Sequence, residues 1–510
     1  MPQLADPTNA GNKPGDGPLR KGGESRSTPS QEADLPSTRS KLSEEQQPAV
    51  EMMRDLCGGT QVVRAKTTTY LPKGPGEKTE AYAERLNRSV FFNATARTVE
   101  GLMGLVFRTD PVLGDDVPAQ ILDHWENIDM AGTHGDVFCR DLGEDAITSG
   151  HAAIFVDYPK TGGEHGREQE IAQEVRPYWI PIKKEDIMSW RTATEGGASY
   201  LTQIVLRETS MVPEGDYGER EQVRYRVLYR EGGKVGFELI EITKERHIVT
   251  VDEGVYLNQI EIPVAEIGTS GSESLFNSTP PLLDLGYLNV AHYQAWSDYV
   301  TSIHMTCVPI FVTIGMPKNA AGGSDPVVVG PNSGLNIPDV QGNAFYVSHD
   351  GAALGSCKAA LDDLKSDFGT LGLAMLAPQK RAAETADAKR LDKSTSDSAL
   401  AVSARALQDG IENALKFHGK YLVGQPEGGS ITINRDFEGL LIDAPVMSAY
   451  AQLVNAGFPP GPVLQALQQG GRISEDVDLD ELELEWLMGS KLNEEIPPPE
   501  AVPEVVEEVE

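Results

Sequence analysis

Two stretches of this chain carry apolar side chains at helical 3/4 spacing, each along one narrow stripe, and a short Gly-rich segment of β character lies between them. Leu285, Leu288, His292, Trp296, Tyr299 and Ile303 make the first stripe. It follows Thr279-Pro280-Pro281, an N-cap with proline in the first turn, where a missing N–H costs little. Leu361, Leu364, Phe368, Leu371 and Met375 make the second, backed by Asp362, Asp363, Lys365 and Asp367. A stripe that narrow covers one neighbouring helix. Between the two, Pro309 ends the first helix, and Ile310–Ile314, Val327–Val329 and Phe345–Val347 read as short strands joined by Gly-rich loops. This part of the chain is confined to a helical hairpin whose β insert projects from the body. Such a shape is unusual for an enzyme core and useful in an assembly.

The flanking sequence falls into blocks. Residues 1–46, rich in Pro, Gly and Ser without apolar periodicity, are expected to be disordered. Thr79 is placed to cap a long helix through Arg108, with Tyr82, Leu86, Val90, Ala94, Leu102 and Val106 near one face. A second helix covers about Asp136–Thr148. β-type sequence follows at Ala152–Tyr158, Tyr200–Glu208, Val223–Arg230, Val235–Glu241 and Ile260–Ile267. In it Val223, Tyr225, Val227 and Tyr229 alternate with Arg224, Arg226 and Arg230, the pattern of a strand with one wet face. After the hairpin, residues 378–397 read as a loop, and a long helix from about Asp397 to His418 carries Leu400, Ala404, Leu407, Ile411, Leu415 and His418 on one face. Two shorter helices, near 446–456 and 462–470, precede an acidic end.

Composition removes several classes. With 39% hydrophobic and 24% charged residues the chain is neither collagen, coiled-coil rod nor wholly disordered. At roughly 150 residues per domain, its length suggests about three domains. No apolar run approaches the ~18 residues of a membrane span, and the N-terminus has no apolar signal core. Cys57, Cys139, Cys307 and Cys357 form no CxxC or Cys/His cluster, so reduced thiols are expected and a disulfide framework or zinc site is not. Lys+Arg 44 against Asp+Glu 77 leave a net charge of −33, and residues 475–510 hold 14 acidic residues against one basic, Lys491. That balance opposes broad neutralisation of nucleic-acid phosphates. It is compatible with a channel through which nucleic acid passes.

Catalytic motifs fail on inspection. Lys73-Gly74-Pro75-Gly76-Glu77-Lys78-Thr79 has Glu77 where a phosphate loop needs glycine, and no strand leads into it, so it reads as a turn opening a helix. GxSxG, GxGxxG and HExxH are absent. Asp476, Asp478 and Asp480 imitate the start of a calcium loop, but Glu481 and Leu487 stand where the turn glycine and the bidentate carboxylate belong. Asp157 has no evident partner to tune it and reads as the end of a strand; His151, His292 and His418 read as structural. The most distinctive local feature is loop 378–397, with Lys380, Arg381, Lys389, Arg390 and Lys393 against Glu384, Asp387, Asp392 and Asp397. Net positive in a chain of −33, it suits weak and reversible contact with a polyanion.

Three stretches together resemble the portal (head-to-tail connector) proteins of tailed bacteriophages. The first is Thr69-Tyr70-Leu71-Pro72 with Tyr82-Ala83-Glu84-Arg85 and Phe91-Phe92-Asn93 through Gly101-Leu102-Met103-Gly104-Leu105-Val106-Phe107-Arg108. The second is GHAAIFVDYP, residues 150–159, and the third is Pro280 to Gly315, beginning PPLLDLGYLNVAHYQAWSDY. Glu384-Thr385-Ala386 and Asn434-Arg435-Asp436-Phe437 follow downstream. They extend over about residues 60–487.

The resemblance implies an α+β chain in a ring oligomer, usually of twelve subunits, at one capsid vertex. Double-stranded DNA would be packaged and ejected through its channel. It implies a disordered arm (1–46), a mixed α/β wing (47–280), a first stem helix (281–306), a β-containing clip (307–356) and a second stem helix (357–377). A tunnel loop (378–396), long helix and wing/crown helices (397–470) and an acidic crown or tail (471–510) complete it. Lys380, Arg381, Lys389, Arg390 and Lys393 would face DNA, while Leu285, Leu288, Trp296, Leu361, Leu364 and Phe368 would hold the stem. The implied partners are further copies of the chain, the major capsid protein, the terminase large subunit and head-tail completion proteins. No catalytic residue, cofactor, metal or membrane is implied, and the expected location is the virion, after assembly in the bacterial host cytoplasm. Two other classes stand against this: another virion adaptor or minor capsid protein, and a metal-dependent hydrolase or nuclease, which needs clustered carboxylates with an orienting partner.

Overall fold

The computed structural model describes residues 35–159, 175–256, 258–269, 275–307, 310–315, 341–347, 354–374, 398–422, 427–435, 437, 460–469 and 479. The chain mixes α and β elements in two units, Met1–Asn434 and Arg435–Glu510. The first opens with helices α1 (Lys41–Cys57), α2 (Gly59–Ala65), α3 (Thr79–Arg88) and α4 (Ala94–Val106), strand β1 (Val112–Leu113), and helices α5 (Ala119–Trp125) and α6 (Gly135–Ser149). Strands β2 (His151–Asp157), β3 (Tyr178–Lys183), β4 (Ile187–Glu195), β5 (Ala198–Glu214), β6 (Gly218–Glu231), β7 (Lys234–Ile242), β8 (Ile248–Tyr256) and β9 (Val264–Gly268) follow. Then come α7 (Leu283–Cys307), β10 (Ile310–Ile314), β11 (Asn343–Val347), α8 (Leu354–Ala374), α9 (Ala399–Tyr421) and β12 (Ile431–Thr432). The described helix of the second unit is α10 (Pro460–Gln469).

The core is built around β2. Every residue of His151–Asp157 is buried, as a continuous apolar run demands of a strand covered on both faces. It is the middle strand of the antiparallel sheet β3-β2-β9. Ala153 and Phe155 point into a cluster shared with Ile204, Leu206, Leu228 and Phe237 of the second sheet, the meander β4-β5-β6-β7-β8. Helices α6 and α9 pack on the strand as well. Two glycines allow this closeness. Gly150 turns α6 into β2 at φ +95°, where a Cβ would lie 2.8 Å from the Thr279 backbone. At Gly410 of α9 a Cβ would collide with Ile267 Cγ1 of β9.

Four expectations are corrected. The N-terminal arm does not extend to residue 46: Leu35 is buried, and Ser40 caps α1 by accepting from Ser43 N at 3.3 Å. Those residues are held across the fold, since Ser43 Oγ donates to Ile187 O at 3.0 Å. The single helix expected over 79–108 is two, with Lys78 and not Thr79 at the first cap position. Asn93 recaps α4 by accepting from Ala96 N at 3.0 Å, and Phe91 leaves the helical path to bury its ring against Tyr293. The helix after Thr279 starts at Leu283, because Pro280 forms a turn in which Leu283 N–H donates to Pro280 O at 3.2 Å.

The wet face of β6 is the fourth. Arg226 shares the core side with Leu228, its side chain only 14% exposed. Its guanidinium is paired with Glu208, lies 3.8 Å from Asp157, and sits 5.5 Å from the ring centres of Phe155 and Phe237. The opposite side, with Tyr225 and Val227, is covered by Leu35, Ile240 and Ile248. A compensated arginine can occupy an inward position that alternation alone assigns to water.

Candidate functional site

Helices α7 and α8 pack on one another and enclose between them, in sequence, the ribbon β10–β11. The root of α7 is fastened to the body by buried polar side chains. Asn289 Oδ1 accepts from Thr95 N at 3.1 Å and Thr95 Oγ1 at 2.9 Å, while its Nδ2 donates to Phe92 O at 2.7 Å. The Ser297 and Ser89 hydroxyls lie 2.8 Å apart, and Arg85 Nη1 donates to Ser297 Oγ at 3.3 Å. Arg85 also pairs with Glu77 at 2.8 Å; that guanidinium and the Gly74 N–H hold the Glu77 carboxyl down, at about 2. The Lys73–Thr79 segment is thus a turn locked by an ion pair.

The linker entering α7 is held in the same manner. Lys184 Nζ donates to Ser278 O at 2.5 Å, and Ser278 Oγ donates to Gly150 O at 2.7 Å. With its proton committed there, Ser278 Oγ accepts from His151 Nδ1, 3.2 Å away. Glu266 accepts from Phe276 N at 2.5 Å. Burial brings the Lys184 ammonium down to about 8 and pushes the Glu266 carboxyl up to about 7.

Beyond Ser297 the situation changes: no residue of α7 from Asp298 to Cys307 is buried. Tyr299, Val300 and Ile303 are only half-covered, and Met305 is 57% exposed. On α8, Leu361 and Phe368 are buried, but Leu354–Ala360 are not. The ribbon pairs Ile310↔Val347 through Ile314↔Asn343, and Ile314, Phe345, Tyr346 and Val347 are all exposed. The hairpin is therefore anchored at its root and uncovered along its outer half by the rest of the described chain.

The expected stem residues have separate places. Leu285 is buried at the root, beside Gly286, where a Cβ would lie 2.8 Å from Met53 Sδ of α1. Leu288 and Leu364 are half-buried; Leu361 and Phe368 are buried. Trp296 stacks on His292 with ring centres 6.5 Å apart and planes at 9°. Phe368 stacks on Phe92 at 6.0 Å and meets His292 at 5.3 Å. Around this cluster opens a groove of about 300 Å³, lined by residues including Phe92, Arg97, His292, Trp296 and Lys365. His292 is 1% exposed with no partner at either ring nitrogen; burial, and then Lys365, lower its pKa. Sequence reasoning placed His292 on the stripe but missed the groove, because Phe92 comes from the helix break that periodicity overlooked.

Lys380, Arg381, Lys389, Arg390 and Lys393 lie outside the described residues, as do Val327–Val329, Met375, residues 446–456, and Asp476, Asp478 and Asp480. Asp157, read as partnerless, is a hub: it accepts from Tyr256 Oη at 2.9 Å, Tyr178 Oη at 3.1 Å and Tyr158 N at 2.9 Å. Among the described residues no three His, Cys, Asp or Glu side chains converge as a metal site, and no helix is long and apolar enough to cross a membrane. All four cysteines are free.

Residues 281–422, which run from the start of the hairpin through α9, match a family described as a domain of unknown function (DUF4055). No curated protein matches the chain. Among solved structures, it is similar to a chain of the virion of a native gene transfer agent particle (13% identity, TM-score 0.35, covering 79% of this chain and 98% of that one). It is also similar to chains from the neck of the native particle computed with C12 symmetry (13%, TM-score 0.32, 71% and 84%) and of the empty particle computed with C6 symmetry (13%, TM-score 0.34, 71% and 84%). At these scores the likeness carries no argument about what this chain does.

Proposed function

We propose that this chain is a portal subunit: many copies form a ring at one capsid vertex, through which double-stranded DNA enters and leaves. The observation that carries the reading is the α7–ribbon–α8 hairpin, fastened at its root by Asn289, Ser297 and Arg85 and left uncovered along its outer half by the rest of the described residues. Helices of 25 and 21 residues reach about 37 and 31 Å at 1.5 Å per residue. Apolar side chains left on such a projection call for a partner surface, and a rotated copy of the same hairpin supplies one. A head-to-tail contact of this kind closes into a ring when its rotation divides the circle.

In this reading residues 47–280 form the wing, α7 and α8 the stem, the ribbon the clip, and residues 378–396 the loop facing DNA. The charge of −33 per copy suits a conduit that does not grip its cargo, since each neutralised phosphate would add affinity and so friction. The ring binds no cofactor and catalyses no reaction; a separate motor moves the DNA. Electron microscopy of the purified full chain tests this: annular particles with a central hole are expected. A persistent monomer at every concentration overturns it.

A further inference from the structure

The ribbon β5–β6 outgrows its sheet. β4 pairs with β5 only as far as Leu206, and β7 pairs with β6 only from Tyr225. Among the described residues the register pairs from Glu208↔Arg224 to Glu214↔Gly218 have no third strand. At about 3.4 Å per residue this free arm extends roughly 24 Å. From Thr209 to Glu221 every side chain is exposed except the half-buried Val212. Met211 is 60% exposed and Tyr217, in the turn, 100%. Two-stranded ribbons are marginal in water, and a rigid, amphipathic tyrosine at the tip is the sort of side chain that anchors an interface. The arm is also anionic, with Glu214, Asp216, Glu219 and Glu221 against Arg220.

Two open clefts of this chain differ in what they would admit. The larger, about 450 Å³, has Asp129, Asp141, Glu144 and Asp145 in its wall against Arg54 and Lys183, and Arg54 is already paired with Asp145. It repels an anionic arm. The groove of about 300 Å³ at the hairpin root has Arg97 and Lys365 in its wall and no carboxylate. Arg97 makes no ion pair among the described residues, Phe92 presents an exposed ring, and the buried His292 lacks a partner for either ring nitrogen. Lys365 is shared with Asp362 at 3.9 Å, so the uncommitted charge is that of Arg97; with the aromatic walls and the unsatisfied buried imidazole it is the complement of an acidic arm tipped by tyrosine.

We propose that the β5–β6 arm of one copy seats in this groove of the adjacent copy. Tyr217 lies between Phe92 and Trp296, its hydroxyl donating to a His292 ring nitrogen, and the arm carboxylates lie beside Arg97 and Lys365. Arm and groove are different surfaces of one chain, so the contact is heterologous and passes from copy to copy around a closed ring. The proposal rests on the reading of the chain as a ring subunit.

Paired cysteines test it in the full chain. With the exposed Cys307 and Cys357 replaced by serine, Tyr217→Cys and Arg97→Cys together are expected to give a ladder of covalent multimers on mild oxidation, and either alone at most dimers. Arg97→Glu is expected to lower ring yield about tenfold, and Asp216→Lys in the same chain to restore it. Annular particles without the ladder, with Arg97→Glu rings at wild-type yield and the thiol introduced at position 217 still open to a maleimide, overturn the arm contact and leave the ring standing. A monomer in every variant and in the parent overturns the ring reading itself.

Discussion

Trp179 Nε1–H donates to His418 Nδ1 at 3.1 Å, so that nitrogen is unprotonated and the proton sits on Nε2, which donates to His124 Nδ1 at 2.9 Å. Burial lowers both imidazoles, His124 to about 4 with Arg176 adding to the effect, and His418 well below its ordinary value. Each imidazole is neutral in the fold and takes a proton near 6.5 when unfolded, so acidification favours the unfolded chain. The histidine pair is expected to contribute a fall in the thermal midpoint as pH drops from 6.5 through about 4, against the opposite contribution of Glu266, whose carboxyl burial raises to about 7. His124→Gln, which can still accept from His418, should flatten part of that slope in melts from pH 7.5 to 4. Asn289 is the second residue on which much depends. Asn289→Ala leaves the Thr95 N–H without its partner in a buried site and removes one of the two donors to the Phe92 carbonyl, which keeps the Ala94 N–H, at an expected cost of about 1–3 kcal/mol in urea titration. Faster hydrogen exchange should appear at the start of α4. None of these partnerships was legible in sequence, because Asn289 and Thr95, like His124 and His418, are far apart in the chain and meet only through packing.

Among elements, the helical hairpin was the most readable, since 3/4 spacing is a local property and Leu361 and Phe368 are both buried on the expected stripe. Leu361→Asp places an unpaired charge in that seam, and Leu361→Ala removes a buried side chain at an expected cost of about 2–5 kcal/mol. Either change should leave the meander folded, as judged by circular dichroism, and abolish large assemblies in light scattering; Leu364→Asp and Leu288→Asp should act in the same direction. Strand identity was partly readable and strand length was not. β5 runs 17 residues where alternation marks nine, because pairing with β6 extends both strands past any apolar pattern. β3, β4 and β8 were missed: each is completed by a neighbour, and β3 carries Pro181 at the edge of its sheet, where a missing N–H is tolerated.

For the whole molecule, charge is the quantity that sequence states completely. In the proposed ring an acidic wall would repel DNA toward the axis within a Debye length of about 8–10 Å, and the loop cations would give brief contacts. Replacing Lys380, Arg381, Lys389, Arg390 and Lys393 together with serine is then expected to impair DNA packaging by a complete virion while annular particles form normally; full packaging by such rings removes the loop's role. Net charge, the absence of the catalytic motifs sought and the two stripes follow from residue identities and short spacings, and these the amino-acid order determines alone. The break at Ser89–Asn93, the inward Arg226, the free arm and the aromatic groove were decided by tertiary structure. Each depends on a compensation from a distant segment: Tyr293 for Phe91, Glu208 and Asp157 for Arg226, the missing third strand for the arm, and the meeting of Phe92 with His292 and Phe368 for the groove. A local pattern records what a residue prefers on average, whereas burial, charge pairing and register record what its neighbours in space permit.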